Sequence, residues 1–193
     1  MMTPSISIGL FTTILKNEGC SIDIFETTGY SDDYGGMASE RVKIGGTRAF
    51  DFKDLGVDIR NPADMLHDFR EKVKTFKPDF ILVHAVEDVF VQTCELLEYI
   101  KDLNVPHIVG GVFTSSAPEV AMREPIIQMI GVFEGERTVV EIINRIKNKQ
   151  NFEKIKGTWI KTKLGIQKNP PQELVDISDV IPDYSLFDEV RFI

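Results

Sequence analysis

The chain has 193 residues, 42% hydrophobic and 27% charged, with a formal net charge of −8. That size and mix describe a soluble folded domain with an appendage and exclude a disordered chain. The acidic balance excludes a nucleic-acid partner, which demands clustered Lys and Arg; the densest basic run, 145-RIKNKQ-150, reads as a solvated helix end.

Residues 6–18, ISIGLFTTILKNE, place Ile6, Leu10 and Ile14 on one helical face, with Phe11 and Leu15 beside them. Gly19 suits the helix stop. The segment 22-IDIFE-26 alternates as a strand does. Residues 27–60, with Gly29, Gly35-Gly36, Gly45-Gly46 and Gly56, form a long irregular stretch of the kind that is functional or mobile. Asn61-Pro62 then starts a helix, with Asn as cap and Pro at the first helical position. Its buried stripe is Met65, Leu66, Phe69, Val73 and Phe76, and it ends before Pro78.

A regular alternation follows. The apolar run 80-FILVH-84 predicts a strand covered on both faces. Helix 88–102 turns Val91, Cys94, Leu97 and Leu96 inward. Strand 107-HIV-109 ends in Gly110-Gly111, and 118-PEVAMRE-124 is a short helix. Strand 126-IIQMIGVF-133 leads to helix 136–148, which faces the sheet with Val139, Ile142, Ile143 and Ile146. Strands alternating with such helices imply parallel βαβ units with helices on both sheet faces. In 157-GTWIKTKLGIQ-167 the pattern becomes a hairpin turning at Leu164-Gly165. The Pro-rich 169-NPPQELVDISDVIPDYSLFDE-189 reads as an extended linker. The organisation is thus an α/β layer over 1–150 and a hairpin with linker over 151–193.

Ligands of an open parallel sheet bind beyond the carboxyl ends of the strands. Three loops share that rim: His84-Ala85-Val86-Glu87-Asp88, Gly110 to Ser116, and Glu134-Gly135-Glu136-Arg137-Thr138. Gly110 and Gly111 allow close approach of a flat ligand or another chain segment. Thr114, Ser115 and Ser116 offer hydroxyls suited to a neutral polar ligand. Alternatively the glycines serve only a turn, and Ser116 caps the helix at Pro118. Glu134 and Glu136 flank a helix start, where carboxylates suit the helix dipole and repel phosphate. No GxGxxG or GxxxxGK[ST] is present. His84 ends a strand and reads most simply as a hydrogen-bonded rim residue; His67 and His107 do not pair with it as metal ligands. No nucleophile–base arrangement assembles, so no catalytic residue is assigned. No apolar run nears the roughly 20 residues of a membrane helix. The start MMTPSISIGLF shows no secretory signal, and Cys20 and Cys94 lack CxxC spacing. These features point to reduced thiols in the cytoplasm.

The ordered set 78-PDFILVHAVED-88, 105-VPHIVGGVFTSSAPEVAM-122, 130-IGVFEGERTVVEII-143, 157-GTWIK-161 and 177-ISDVIPDYSLFDE-189 resembles the N-terminal region of cobalamin-dependent radical SAM enzymes. In that family a strand ends in Gly-Gly, a hydroxyl residue and Pro-Glu follow, and a Gly-Glu-Gly-Glu-like turn opens the next helix. The resemblance implies a flavodoxin-like, Rossmann-like cobalamin-binding fold, with the cofactor flat on the carboxyl rim and its nucleotide tail tucked into the sheet. Carried over, Gly110 and Gly111 give the tail space, and Thr114 and Ser115 hydrogen-bond it. The loop His84, Ala85, Glu87 faces the corrin, and Glu134, Gly135 and Glu136 close the rim. Full-length relatives transfer methyl groups to unreactive carbon or close rings, as in anaerobic magnesium-protoporphyrin monomethyl ester cyclisation.

The sequence departs from the family in three ways. The strand that normally precedes the first helix is missing. The cobalt-ligating Asp-x-His-x-x-Gly pattern is absent. There is no CxxxCxxC, so the [4Fe–4S] cluster and S-adenosylmethionine of the parent would not be bound here. The chain therefore reads as a cobalamin-binding module without its catalytic barrel, its partners being cobalamin and a C-terminal radical SAM domain. A homodimer is an open alternative, since an unpaired edge invites pairing. Two other readings remain: a receiver-like signalling domain, and a small-molecule enzyme using Glu87, Asp88, Glu134 and Glu136.

Overall fold

Three short apolar segments separated by helices build the parallel part of one sheet, because a strand can bury side chains on both faces only when flanked by other elements. The computed structural model describes residues 5–30, 42–46, 60–177 and 180–187. Helix α1 spans Ile6–Asn17 and α2 spans Met65–Phe76, the latter entered through a 3-10 turn at Pro62–Asp64. Then come β1 (Ile81–His84), α3 (Glu87–Tyr99), β2 (His107–Gly110), α4 (Val112–Ser116) and α5 (Pro118–Ala121). The order closes with β3 (Met129–Gly131), α6 (Glu136–Lys147), β4 (Thr158–Thr162) and β5 (Gly165–Lys168).

The strands form one sheet in the order β1-β2-β3-β4-β5. β1 and β2 run parallel with Val83 opposite Val109, and β2 and β3 run parallel with Val109 opposite Ile130. β4 pairs antiparallel with β3, and β5 with β4, so the predicted hairpin extends the sheet. Ile108, Met129 and Ile142 of α6 pack together with Ile155, ringed by Phe80, Leu82, Ile146, Phe152 and Ile160. Alternation turns Val109 and Ile130 to the opposite face, where both are wholly buried. Both faces of β2 and β3 are therefore covered, and the fold is α/β and Rossmann-like as expected. Each fully buried aliphatic side chain contributes roughly 1.5–3 kcal/mol.

The described residues fall into two compact units. One holds those within Asp23–Phe76 together with 185–187; the other holds Ser5–Ile22 and Lys77–Tyr184. In the first, Tyr30 is buried and its hydroxyl donates to Asp68 at 2.8 Å while accepting from Arg60 at 3.2 Å. Burial raises the Tyr30 pKa. The Arg60 amide donates to the Gly29 carbonyl at 2.8 Å. The Asn61 side chain caps the turn as predicted, accepting from the Ala63 amide. In the second unit, 181–184 lies along α1. The Asp183 amide donates to the Gly9 carbonyl, the Thr13 hydroxyl to Ile181, and Lys16 pairs with Asp183 at 2.6 Å. A Cβ on Gly9 would come within 2.7 Å of the Tyr184 ring.

Several expectations are corrected. Residues 22–26 form no strand. Phe25 instead stacks on Phe69 at 5.0 Å, a side-chain anchor that needs no ladder. Much of 27–60, including Gly35, Gly36 and Gly56, lies outside the described residues. β1 is half-buried, not covered on both faces, because it stands at the edge of the described sheet. Ile6 is 65% exposed, because α1 turns Gly9, Leu10 and Thr12 inward. Val91 is 66% exposed, because α3 turns Phe90, Thr93, Leu96 and Leu97 inward. β3 covers only Met129–Gly131 of the strand predicted over 126–133. Among the described residues no helix is long and apolar enough to cross a membrane.

Candidate functional site at the carboxyl rim

Parallel pairing of β1, β2 and β3 sends three loops off the same edge of the sheet. Of the site residues read from the sequence, His84 and Gly110 end β1 and β2, and the rest lie on these loops or on the helices that follow. The loops after β1 and β2 are locked together. The Ala85 amide donates to the Gly110 carbonyl at 2.9 Å, and Ala85 is wholly buried. Gly111 has φ +123°, and a Cβ there would come 2.3 Å from the Ala85 carbonyl oxygen. Gly111 is thus required by the neighbouring loop. Gly110 differs: a Cβ on it would meet nothing nearer than the Val83 carbonyl oxygen at 3.9 Å.

Residues 112–116, read as a loop bearing hydroxyls, form the short helix α4. Thr114 is wholly buried, and its hydroxyl is shared between the Gly111 carbonyl at 3.0 Å and the Gly131 carbonyl at 2.8 Å. The Ser115 hydroxyl donates to the Gly111 carbonyl at 3.1 Å and accepts from the Phe133 amide at 2.8 Å. These two side chains therefore fasten the second loop to the third. Ser116 does not cap α5, whose N-cap is Ala117 without a side-chain bond. It lines an open groove of about 330 Å³ with Val86, Glu87, Asp88, Val112 and Phe113. Phe113 stacks on Phe90 at 4.6 Å, which joins α4 to α3 behind the groove.

His84 ends β1 with Nδ1 3.3 Å from the Ser7 hydroxyl at the start of α1. Partial desolvation at the strand end lowers its pKa from the ordinary 6.5. Among the described residues no three His, Cys, Asp or Glu side chains are grouped to hold a metal ion.

The third loop carries Phe133 at φ +61°, with its ring 69% exposed. Glu134 follows, exposed, and then Gly135, where a Cβ would come 2.7 Å from Phe11 of α1. α1 packs on α6, and Gly135 gives the Phe11 ring its place. Glu136 opens α6, and its Oε2 is buried without a hydrogen-bond partner among the described residues. Glu134, Gly135 and Glu136 are not part of the groove wall, so Glu87 alone of the ten proposed ligand contacts lines it. The sequence reading placed Val86, Val112 and Phe113 in the rim loops and Phe133 at a strand end, but named none of them as a ligand contact.

No family model matches the chain. An uncharacterized methyltransferase, PH0819, from Pyrococcus horikoshii is 27% identical over 118 residues, covering 60% of this chain and 26% of that protein. The radical S-adenosylmethionine methyltransferase TsrM from Kitasatospora setae, solved with tryptophan substrate and a SAM analog, superposes with a TM-score of 0.64 at 17% identity. That match covers 89% of this chain and 28% of TsrM. TsrM solved with cobalamin and a [4Fe–4S] cluster gives a TM-score of 0.60 at 18% identity, over 91% of this chain and 28% of that one. The cobalamin-dependent S-adenosylmethionine radical enzyme OxsB, with aqua-cobalamin and S-adenosylmethionine bound, gives 0.52 at 22% identity over 63% of this chain and 17% of that one. The class is therefore an α/β, Rossmann-like layer of the kind these radical enzymes contain. This chain spans about a quarter of the length of the curated relative and of TsrM.

Proposed function

We propose that this chain is the cobalamin-binding module of a cobalamin-dependent radical SAM enzyme, of the methyltransferase type. The observation that carries the reading is the fold likeness to TsrM across nine-tenths of the chain, TsrM having been solved with cobalamin bound. The methyltransferase type is preferred to the ring-closing cyclase type because PH0819 and TsrM are both described as methyltransferases.

The rim residues fit the cofactor. The space beside Gly110 would admit the narrow nucleotide tail. Thr114 and Ser115 would shape that slot more than bond the tail, since their hydroxyl hydrogens are already given to backbone carbonyls. Glu136 Oε2 lacks a donor, and the carboxamide N–H groups around a corrin would provide one. Glu87 in the groove wall and Glu134 would accept from the same periphery. His84 and Ala85 would face the corrin at the end of β1. Bound cobalamin supplies methyl-group chemistry at cobalt; the protein's part is to hold the ring and exclude water from one face. Binding is assigned to 1–150, and 151–193 would lead toward a C-terminal radical SAM domain, which holds the [4Fe–4S] cluster and S-adenosylmethionine. The parent would work in the cytoplasm, as a monomer or a homodimer.

Incubation with hydroxocobalamin, followed by desalting and a visible spectrum, tests the reading. Near-stoichiometric retained corrin absorbance supports it, and a colourless protein overturns it for this chain.

A further inference from the structure

We propose that Phe133 is the residue that grips the ring of the bound ligand, an inference that rests on the cobalamin reading above. A bulky residue at φ +61° is sterically disfavoured and persists only where its surroundings impose it. Here the imposing contact is the Phe133 amide on Ser115 Oγ, which pins the third loop to the second. The ring so held faces outward, and among the described residues it stacks on no other ring. The fold thus enforces an unfavourable backbone in order to display an aromatic side chain that contributes nothing to its own core.

The rest of the rim defines what would cover it. Val86 before α3 and Val112 at the start of α4, 42% and 69% exposed, present further apolar side chains at the same sheet edge. The three rim loops carry Glu87, Asp88, Glu134 and Glu136 against one cation, Arg137, which is itself paired with Glu173 at 3.5 Å. Such a rim repels a phosphate-dominated ligand and suits a neutral or cationic one with apolar faces and N–H donors at its edge. The narrow part of that ligand would enter at Gly110, where a Cβ position has no atom nearer than 3.9 Å. Its broad ring would meet the exposed Phe133 ring on the third loop of the same rim.

The test compares wild type, Phe133→Ala, Phe133→Leu and Phe133→Gly by titration with hydroxocobalamin and with dicyanocobinamide, a corrin lacking the nucleotide tail. Wild type is expected to bind both. Phe133→Ala and Phe133→Gly should weaken both by about tenfold, with Phe133→Leu in between. Phe133→Gly relieves the left-handed backbone, so its melting temperature should match or exceed that of wild type, which separates lost contact from lost fold. Equal affinities in all four proteins overturn the inference and leave the cobalamin reading standing. A loss confined to hydroxocobalamin overturns it as well, by assigning Phe133 to the tail. Wild type binding neither corrin overturns both.

Discussion

Gly111 and Ala85 lie so close that a Cβ on Gly111 would sit 2.3 Å from the Ala85 carbonyl oxygen. Gly110, one residue earlier, would bring its Cβ no nearer than 3.9 Å to any atom, an ordinary contact with the Val83 carbonyl oxygen. The paired glycines that looked like one feature in the sequence therefore have separate jobs. Gly111 lets two loops meet, and Gly110 leaves room at the strand end.

Gly111→Ala should accordingly lose about 2 kcal/mol or more of stability, since it combines a left-handed φ with a clash against backbone. Gly110→Ala should change stability by less than about 0.5 kcal/mol, because its Cβ meets only an ordinary contact. It should still lower retention of hydroxocobalamin. Urea denaturation of both variants, paired with the retention assay, separates the two roles.

Thr114→Val preserves shape but removes the donor shared by the Gly111 and Gly131 carbonyls in a sealed site. The expected cost is about 1–3 kcal/mol, with most of it restored in Thr114→Ser. Ser115→Ala should instead act locally. Loss of the acceptor for the Phe133 amide should speed hydrogen exchange at that amide, with little change elsewhere.

Gly135→Ala places a Cβ 2.7 Å from the Phe11 ring. Because the obstacle is the far end of a side chain, the cost should be about 1–2 kcal/mol. The double variant with Phe11→Leu should be less destabilised than the sum of the singles. Thermal melts of the four proteins give the coupling directly.

Burial lowers the pKa of His107, whose Nε2–H reaches the Ile126 carbonyl at 3.1 Å, and partial desolvation lowers that of His84. The folded state thus binds these protons less readily than the unfolded state does. Below the ordinary value of 6.5 the unfolded chain takes up protons that the folded chain still refuses, so stability falls as pH drops from there toward the folded pKa values. Between pH 7 and 8 these groups should leave stability unchanged. Melting temperature against pH measures this, and the acid loss should shrink in His107→Gln.

Helix α6 was legible because Val139, Ile142, Ile143 and Ile146 recur at helical spacing over about two turns. The Asn61-Pro62 helix start was equally legible, since capping is a local interaction. Ile22 and Ile24 are spaced as strand residues are, yet 22–26 form no strand, because a strand exists only where a partner offers hydrogen bonds. Val91 and Phe90 show the same limit within a helix. Periodicity marks an apolar stripe, but where two adjacent residues are both apolar, only packing selects the one that faces inward.

The order of elements, the parallel alternation and the placement of ten rim residues at strand ends followed from local pattern, because helix and strand periods and glycine punctuation are written residue by residue. What Thr114 and Ser115 bond, why Gly111 and Gly135 lack side chains, and that Phe133 stands outward at φ +61° were settled only by the tertiary structure. Each depends on a group 17 or more residues away that sequence spacing does not locate: Ala85 for Gly111, Gly131 for Thr114, Ser115 for Phe133, and Phe11 for Gly135.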